Sequence, residues 1–247
     1  MKKNVYRIAD TVFGIDSMYE EVHNLCSDYR CSEAPEFTIS TTQPDIDYER
    51  EKSRREDIKE GIPVRSFSDS YLETLAVYRK LCEILIGRGV LLFHGSVIAV
   101  DGVCYLFTAK SGTGKSTHTR LWMEYFGDRA VMINDDKPLI RINDTDVTVY
   151  GTPWDGKHHI STNTCAPLKA ICILNRGTEN EISRISKSEA YPMLLQQTHR
   201  PMDAEKMKNV LELIDKMCRN ISLYKLRCNM ETDAVTTAYN GMNTEGA

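Results

Sequence analysis

Ala109-Lys110-Ser111-Gly112-Thr113-Gly114-Lys115-Ser116-Thr117 is the stretch that decides the fold of this 247-residue chain. Its two glycines permit backbone angles and a close approach to a ligand that a side chain would forbid. Successive backbone N–H groups of such a loop can curl around an anion. Lys115 can bring a positive charge to the outer phosphates of a nucleotide, and the Ser116 hydroxyl can bind Mg²⁺. The stretch predicts a phosphate-binding loop over residues 111–117. A glycine-rich turn without a ligand is the alternative interpretation.

The segments on either side of this loop have the patterns that a phosphate-binding loop requires. Val103–Thr108 is an apolar run typical of a buried strand, and the residues from the loop to Phe126 predict a helix that ends at Gly127. Asp101-Gly102 is a short hairpin signal between two apolar runs. The strand that feeds the loop is therefore expected to pair antiparallel with a strand predicted over Val90–Val100. Doubly wound enzymes feed their phosphate loops from a parallel strand instead.

Two later segments carry charged side chains that could act together with this loop. The predicted strand Ala130–Ile133 ends in Asn134-Asp135-Asp136-Lys137-Pro138. Adjacent aspartates ordinarily only cap a turn, but this pair follows a phosphate loop by one helix and one strand, which favours a metal-binding or catalytic role. The loop Gly151–His159 is rich in donors, and its Lys157 could reach a phosphate. Its paired histidines, His158 and His159, are interpreted as surface residues rather than as a metal site.

Composition limits the class of protein. A hydrophobic content of 41% supports a substantial core, and the net charge of −4 gives no support for nucleic-acid binding. No apolar run approaches the length of a membrane span, and the N-terminus lacks the apolar stretch of a signal peptide. The eight cysteines form no C-x-x-C pair. They are therefore interpreted as free thiols of a cytoplasmic protein rather than as a zinc site or disulfides.

The pattern along the chain predicts two domains with a boundary near residue 68. Residues 1–68 predict a small α+β subdomain without recognisable chemistry. We expect it to take part in recognising the acceptor, that is, the second substrate of the catalytic domain. Its segment 45–60 is dense in charges of both signs and is expected to be a surface hairpin or linker. Residues 69–247 predict the nucleotide-binding catalytic domain, which begins with a helix that Asp69 caps and that runs to about Ile86.

The chain resembles a known family once these features are placed in order. His94-Gly95, the hairpin, the glycine loop, the helix, the strand and Asp135-Asp136 resemble the catalytic core of HPr kinase/phosphorylase. That fold is shared with ATP-dependent phosphoenolpyruvate carboxykinase. The motifs S-G-T-G-K-S-T-H-T-R-L-W, N-D-D-K-P and G-T-P-W-x-G-K are similar to those of a group of HPr-kinase-like proteins that includes peptide-maturation kinases. The resemblance implies an α/β fold of this type, with a mixed, largely antiparallel sheet.

The same resemblance implies an ATP- and Mg²⁺-dependent kinase that transfers a phosphoryl group to a hydroxyl of a peptide, a small protein or a metabolite. Asp136 would act as the general base, and His94 would orient the aspartates unless it is an ordinary core histidine. Asp135 would hold Mg²⁺ together with Ser116. Lys115 would act on the phosphates, and secondary phosphate contacts would come from Lys137, Lys157 and Arg120. The nucleotide would be held by Ser111, Gly112, Thr113, Gly114, Lys115, Ser116 and Thr117.

Two departures from the family limit what the resemblance implies. No acidic residue stands within Val149–Gly151, the segment in which HPr kinases carry a metal ligand. Their C-terminal arginine signature has only Arg176 and Arg200 as candidates. The sequence therefore leaves open whether the protein has a reverse phosphorylase activity. A nucleotide-binding regulator with little turnover and a carboxykinase-like enzyme stay open as alternatives. The expected partners are a nucleotide and a hydroxyl-bearing acceptor, with no nucleic acid and no membrane, and a homo-oligomer stays open.

Overall fold

The computed structural model describes residues 2–110, 112–156 and 158–244. These residues form two compact units that divide between Ile84 and Leu85. We refer to them as the N-terminal unit and the C-terminal unit.

The N-terminal unit is built on a three-stranded sheet. Its central strand pairs antiparallel with the first strand and parallel with the third. Ala9 and Asp10 form the tight turn of the hairpin with positive φ angles of 48° and 54°. The central strand is buried along its whole length. In chain order the elements are β1 (Lys2–Ile8), β2 (Thr11–Ser17), α1 (Glu21–Leu25), β3 (Phe37–Ser40), α2 (Gln43–Glu60) and α3 (Asp69–Ile86).

Helix α2 occupies the charged segment for which the sequence predicts a surface hairpin or linker, and that prediction is wrong. Thr42 and Asp45 form a capping box at its start, and Pro44 lies in the first turn, where proline is tolerated. Ion pairs between side chains three or four residues apart, such as Arg54–Glu51 at 3.4 Å, support its exposed face. A helix with so few apolar residues has no amphipathic period that a sequence pattern can reveal.

Helix α3 is tied to the rest of the N-terminal unit by polar contacts. The buried carboxylate of Glu73 accepts hydrogen bonds from the backbone N–H groups of Met18 at 2.7 Å and Tyr19 at 2.9 Å. Further along the helix, Arg79 Nε donates to Glu49 at 2.5 Å. Because of these contacts, most of α3 belongs to the N-terminal unit, whereas the predicted boundary near residue 68 lies before it.

The C-terminal unit contains a large mixed sheet with helices on both faces. Its strands are β4 (Val90–Leu92), β5 (Ser96–Val100), β6 (Val103–Thr108), β7 (Ala130–Asn134), β8 (Leu139–Ile142), β9 (Val147–Tyr150), β10 (Cys165–Arg176), β11 (Glu181–Arg184) and β12 (Ser222–Cys228). Its helices are α4 (Lys115–Phe126), α5 (Lys187–Gln197), α6 (Ala204–Asn220) and α7 (Asp233–Asn243).

The strand order of this sheet is β4-β8-β9-β10-β6-β5-β7, with β12 also paired to β10 and β11 to β12. Within the described part of the chain, β10 runs parallel to β6 and β12, and the other pairs are antiparallel. Asp101 and Gly102 form the β5–β6 turn with positive φ angles, as the hairpin signal predicts. The predicted α/β class with a mixed, largely antiparallel sheet is therefore confirmed.

Apolar side chains from alternate strand positions form a core on each face of the sheet. Leu106 and Ile173 point to the face that also buries Leu194 of α5 and Ile214 of α6. Their neighbours Phe107 and Leu174 belong to the opposite core, which contains Trp122 of α4 and Val235 of α7.

The apolar run 90–100 is predicted as one strand, but the structure divides it into β4 and β5. Between them the backbone N–H groups of Phe93, His94 and Gly95 donate to carbonyl oxygens outside any strand pair. Those carbonyls belong to Pro138 (3.2 Å), Gln197 (2.7 Å) and Asp136 (3.1 Å), respectively. As a result β4 pairs with β8, whereas β5 pairs with β6 and β7. The break places His94 beside Asp136.

Candidate functional site

One edge of the large sheet collects the segments singled out in the sequence. Strands β6 and β10 are parallel, and the glycine loop (residues 109–117) follows β6 at their common C-terminal edge. Strand β5 begins at this edge, directly after His94-Gly95, and β7 ends there at Asn134. The edge therefore brings together the glycine loop, His94 and the Asp135-Asp136 pair.

The described part of the glycine loop forms a tight backbone turn. Gly112 and Gly114 have φ angles of 74° and 118°, in the region that favours glycine. Lys110 O accepts hydrogen bonds from Thr113 N at 3.2 Å and Thr113 Oγ1 at 2.8 Å. Helix α4 starts at Lys115, so its positive N-terminal end lies at the loop. Ser111, which the sequence also assigns to this loop, lies outside the described residues.

Lys115 is the half-buried cation of the glycine loop. Its Nζ lies 3.5 Å from the carbonyl oxygen of Ala109. Burial lowers the pKa of Lys115, and the negative charge of Asp136 partly offsets that effect. Lys115 and Asp136 are therefore close enough for their charges to interact. Ser116 and Thr117 follow in the first turn of α4, with Ser116 exposed and Thr117 partly buried.

Asp136 lies between two cationic or hydrogen-bonding partners. His94 Nε2 lies 3.1 Å from Asp136 Oδ1, and Lys137 Nζ lies 3.4 Å from Oδ2. Burial opposes ionisation of this carboxyl, but the hydrogen bond from His94 and the charge of Lys137 outweigh it and lower its pKa to about 2. The His94 side chain is 40% exposed, so it is not a buried core histidine.

Asp135 is held in a different environment from its neighbour. It is only 4% exposed, and its Oδ1 accepts a hydrogen bond from Gly156 N at 2.6 Å. Burial raises the pKa of Asp135, and the charges of Asp155 and Asp136 raise it further, against the effect of the Gly156 N–H. Two adjacent carboxylates with opposite pKa shifts are suited to different roles.

Asn134 organises the end of β7, although no role is predicted for it from the sequence. Its Oδ1 accepts from the backbone N–H groups of Asp136 at 2.9 Å and Lys137 at 2.6 Å. Its Nδ2 donates to Thr152 O at 3.1 Å and to Trp154 O at 3.4 Å. The fully buried Asn134 thus ties both the aspartate turn and the 151–156 loop to β7. An asparagine that bonds the backbone two residues on is a recognisable turn signal.

The donor set at Asp135 fits a magnesium ion carried by a nucleotide. In the described ranges no group of three or more His, Cys, Asp or Glu side chains could hold a metal ion. Mg²⁺ bound to phosphates needs only one or two protein oxygens, because phosphates and water complete its octahedron. The Asp135 carboxylate lies near two other aspartates, and an added cation would relieve their mutual repulsion. The exposed Ser116 hydroxyl is the second ligand that the sequence predicts.

The other predicted phosphate contacts lie in varied positions, and so do Arg176 and Arg200, the two candidates for the family's C-terminal arginine signature. Arg120 Nε pairs with Glu124 at 3.6 Å on the exposed surface of α4. Arg176, at the end of β10, donates to the backbone carbonyl oxygens of Gly112 and of Thr113, the latter at 3.3 Å. It therefore supports the glycine loop from the carbonyl side. Arg200 is exposed after α5, and Lys157 lies outside the described residues.

The two histidines of the 151–159 loop are exposed. His159 Nδ1 lies 2.8 Å from Asp155 Oδ1, and its φ angle is 48°. Asp155 also accepts hydrogen bonds from Ser161 N at 3.2 Å and Ser161 Oγ at 2.8 Å. These contacts hold the far end of the loop, and they agree with the interpretation of the histidines as surface residues.

A cavity of about 610 Å³ opens beside the glycine loop, on the face covered by α4 and α7. Its wall combines three distant segments, which is why no local pattern predicts it. Apolar side chains, among them Leu121, Leu174 and Met230, make up much of the wall. The remaining lining includes Thr113, Gly114, Thr117, His118, Asn175, Arg176 and the residues after β12.

These features define a mixed-sheet α/β protein with a strand, glycine loop and helix unit facing an acidic strand end. Residues 65–234 match the family described as SynChlorMet cassette protein ScmC, and the chain belongs to that family. A search of curated proteins found no match. One similar solved structure is the HPr(Ser) kinase/phosphatase from Coxiella burnetii, with 9% identity and a TM-score of 0.33. The match covers 60% of this chain and 94% of that one.

Among residues 2–110, 112–156 and 158–244, no helix is both long and apolar enough to cross a bilayer.

Proposed function

We propose that this protein is a Mg²⁺- and ATP-dependent phosphotransferase that moves the γ-phosphoryl group of ATP to a hydroxyl group. The observation that carries the proposal is the shared sheet edge, where the glycine loop, Lys115 and the Asp136–His94 pair lie together. The loop offers backbone N–H groups and a helix N-terminus to phosphates. The aspartate pair offers one carboxylate for a metal and one for an acceptor.

The strand order supports a direction for the nucleotide along this edge. The cavity lies on the side of β6 occupied by β10 and β12, and the aspartates lie on the other side, at β5 and β7. A nucleoside in the cavity would place its triphosphate along the glycine loop. The γ-phosphoryl end would then point toward Lys115 and Asp136.

The environment of Asp136 suits the orientation of an attacking hydroxyl. With a pKa of about 2, the carboxylate is ionised at neutral pH and can accept a hydrogen bond from the acceptor's O–H group. His94 and Lys137 fix the direction of its oxygens. Phosphoryl transfer passes through a loose transition state, so positioning and charge neutralisation supply most of the catalysis. Mg²⁺, held by Asp135 and Ser116 when bound, would neutralise charge on the β- and γ-phosphates.

The acceptor class proposed is a hydroxyl, as in a serine of a peptide or small protein, or in a metabolite. The support is the ionised carboxylate of Asp136, which can accept a hydrogen bond and then the proton from the hydroxyl group of an acceptor. We propose that the N-terminal unit contributes to acceptor choice.

The proposal is tested with the full chain, Mg²⁺ and ATP, by measuring ADP release and searching for acceptors whose mass rises by one phosphoryl group. Peptides encoded beside the gene and metabolite extracts serve as acceptor pools, and Lys115→Ala serves as the control. Acceptor-dependent ADP release that Lys115→Ala lacks is the expected result. ATP binding without any turnover would favour the regulator, and oxaloacetate-dependent ATP consumption would favour the carboxykinase. No ATP binding by the intact chain would overturn the proposal.

A further inference from the structure

His118 lies in the wall of the cavity beside the glycine loop and has an unused hydrogen-bonding group. The side chain is 3% exposed. Its Nδ1 atom is buried and has no hydrogen-bond partner among the described residues. Asn175 Nδ2, a second buried atom without such a partner, belongs to another residue of the same wall. Buried polar groups without partners are rare in native proteins, and each calls for an explanation.

The contact with Trp122 decides which nitrogen of His118 carries the proton. Trp122 Nε1 lies 3.0 Å from His118 Nε2, and an indole N–H can only donate. Nε2 must therefore present its lone pair, and the neutral ring carries its proton on Nδ1. The ring also packs edge-on against Phe107 at a centroid distance of 4.7 Å, so its orientation is fixed. His118 thus keeps an oriented N–H donor that the described protein groups do not use.

The position of His118 on α4 shows which part of a nucleotide could use this donor. Its backbone N–H bonds to Gly114 O at 2.9 Å, so the residue lies one turn beyond the glycine loop. The cavity continues from Thr113 and Gly114 toward Leu174 and Met230, away from the aspartates. A ligand whose phosphates occupy the loop would put its nucleoside in this space.

We propose that His118 is a specificity-determining residue whose Nδ1–H donates to an acceptor atom of the nucleoside, either a purine ring nitrogen or a ribose oxygen. The apolar side chains of the cavity, Leu121, Leu174 and Met230, suit the faces of a purine ring. This inference rests on the proposed function, because it needs a nucleotide whose phosphates lie in the glycine loop.

The test compares the affinities of Mg²⁺–ATP and of Mg²⁺–tripolyphosphate, which lacks the nucleoside, for two variants of the full chain. In His118→Gln the amide reaches the place of Nε2, so Trp122 keeps a partner while the Nδ1 donor is lost. In His118→Asn the amide lies near the place of Nδ1 and keeps that donor. We expect His118→Gln to raise the Kd for ATP about 5- to 15-fold with little change for tripolyphosphate. The Kd of His118→Asn for ATP should be closer to the Kd of the wild type than that of His118→Gln is.

Analogues of ATP identify the acceptor atom. Deaza analogues remove single ring nitrogens, and deoxy analogues remove ribose oxygens. For the analogue that lacks the true acceptor, His118→Gln should cause no further loss of affinity. If His118→Gln lowers the affinity for every analogue as much as it lowers the affinity for ATP, no nucleoside atom is the acceptor and the inference is wrong.

The remaining outcomes separate this inference from the proposed function. If the wild type binds both ligands and His118→Gln changes the two affinities equally, or changes neither, His118 does not contact the nucleoside and the inference is wrong. If the wild type binds tripolyphosphate as tightly as ATP, the cavity contributes nothing to nucleotide binding and the inference also fails. If the wild type binds neither ligand, the proposed function itself has failed.

Discussion

Replacing Gly156 by alanine should displace Asp135 without changing any charge. The φ angle of Gly156 lies outside the left-handed region, so alanine adds no backbone strain there. An added Cβ would lie 2.5 Å from Asp135 Oδ2 and 2.8 Å from its Cγ, closer than such atoms approach in proteins. Since Asp135 is only 4% exposed, its carboxylate cannot move into solvent without disturbing its surroundings.

The size of the effect follows from the two interactions at this contact. Forcing an extra carbon into a well-packed site costs about 1–3 kcal/mol. The 2.6 Å hydrogen bond from Gly156 N to the carboxylate, which the displacement would lengthen, contributes about 1.5–3 kcal/mol as a bond to a charged group. Because relaxation makes the two terms less than additive, we expect a total loss of about 2–4 kcal/mol. For a protein of this size that corresponds to a fall in Tm of about 5–15 °C.

The assay is a double-mutant cycle of Gly156→Ala and Asp135→Ala, in which the stability of each variant is measured by thermal unfolding. With the carboxylate removed, alanine at 156 has room, so the double variant should lose less stability than the sum of the single variants. A coupling of about 1–3 kcal/mol is expected between residues in direct contact. Gly156→Ala should also weaken the Mg²⁺ dependence of ATP binding. Additive single effects, or an unchanged Tm in Gly156→Ala, would refute the reasoning.

Four further predictions address the site and its supports. Asp136→Asn should keep the affinity for Mg²⁺–ATP while the rate of phosphoryl transfer falls about 10²–10⁴-fold, whereas Asp135→Asn should weaken the Mg²⁺ dependence of ATP binding. Calorimetry and turnover assays on both variants test this. If Asp136→Asn loses metal-dependent binding and Asp135→Asn loses only turnover, the two roles are reversed. Lys115→Ala should weaken ATP binding and abolish transfer, and normal affinity with normal turnover would contradict the role given to the glycine loop. Asn134→Ala should lower the free energy of unfolding by about 2–4 kcal/mol, because it leaves two backbone N–H groups without their acceptor; a neutral result in denaturant unfolding would show that the turn does not depend on it. Burial lowers the pKa of His23 below its ordinary 6.5, so the unfolded chain takes up a proton that the folded chain does not. Stability should therefore fall as the pH drops below 6.5, with a smaller slope in His23→Gln, and equal slopes in thermal melts would count against this assignment.

The sequence by itself determined the elements whose causes are local. Asp101-Gly102 joins two apolar runs and forms the predicted hairpin. Asn143-Asp144 likewise lies between two apolar runs, which pair antiparallel as β8 and β9. The strand, glycine loop and helix follow from Val103–Thr108, the two glycines and Lys115 because turn chemistry and apolar runs act over a few residues. Asp203 caps α6 as its position suggests, with its side chain accepting from Lys206 N at 2.8 Å.

Four features depended on the tertiary structure. Helix α2 lacks an apolar period, and ion pairs to α3 hold it, between Arg79 and Glu49 at 2.5 Å and between Lys80 and Asp45 at 2.7 Å. The break between β4 and β5 depends on carbonyl groups of Pro138, Gln197 and Asp136, which lie far along the chain. The roles of Asn134 and of the cavity beside His118 likewise depend on segments that meet only after the sheet has formed. Local propensity can place a carboxylate at a strand end, but its partners, burial and pKa are set by contacts between distant segments.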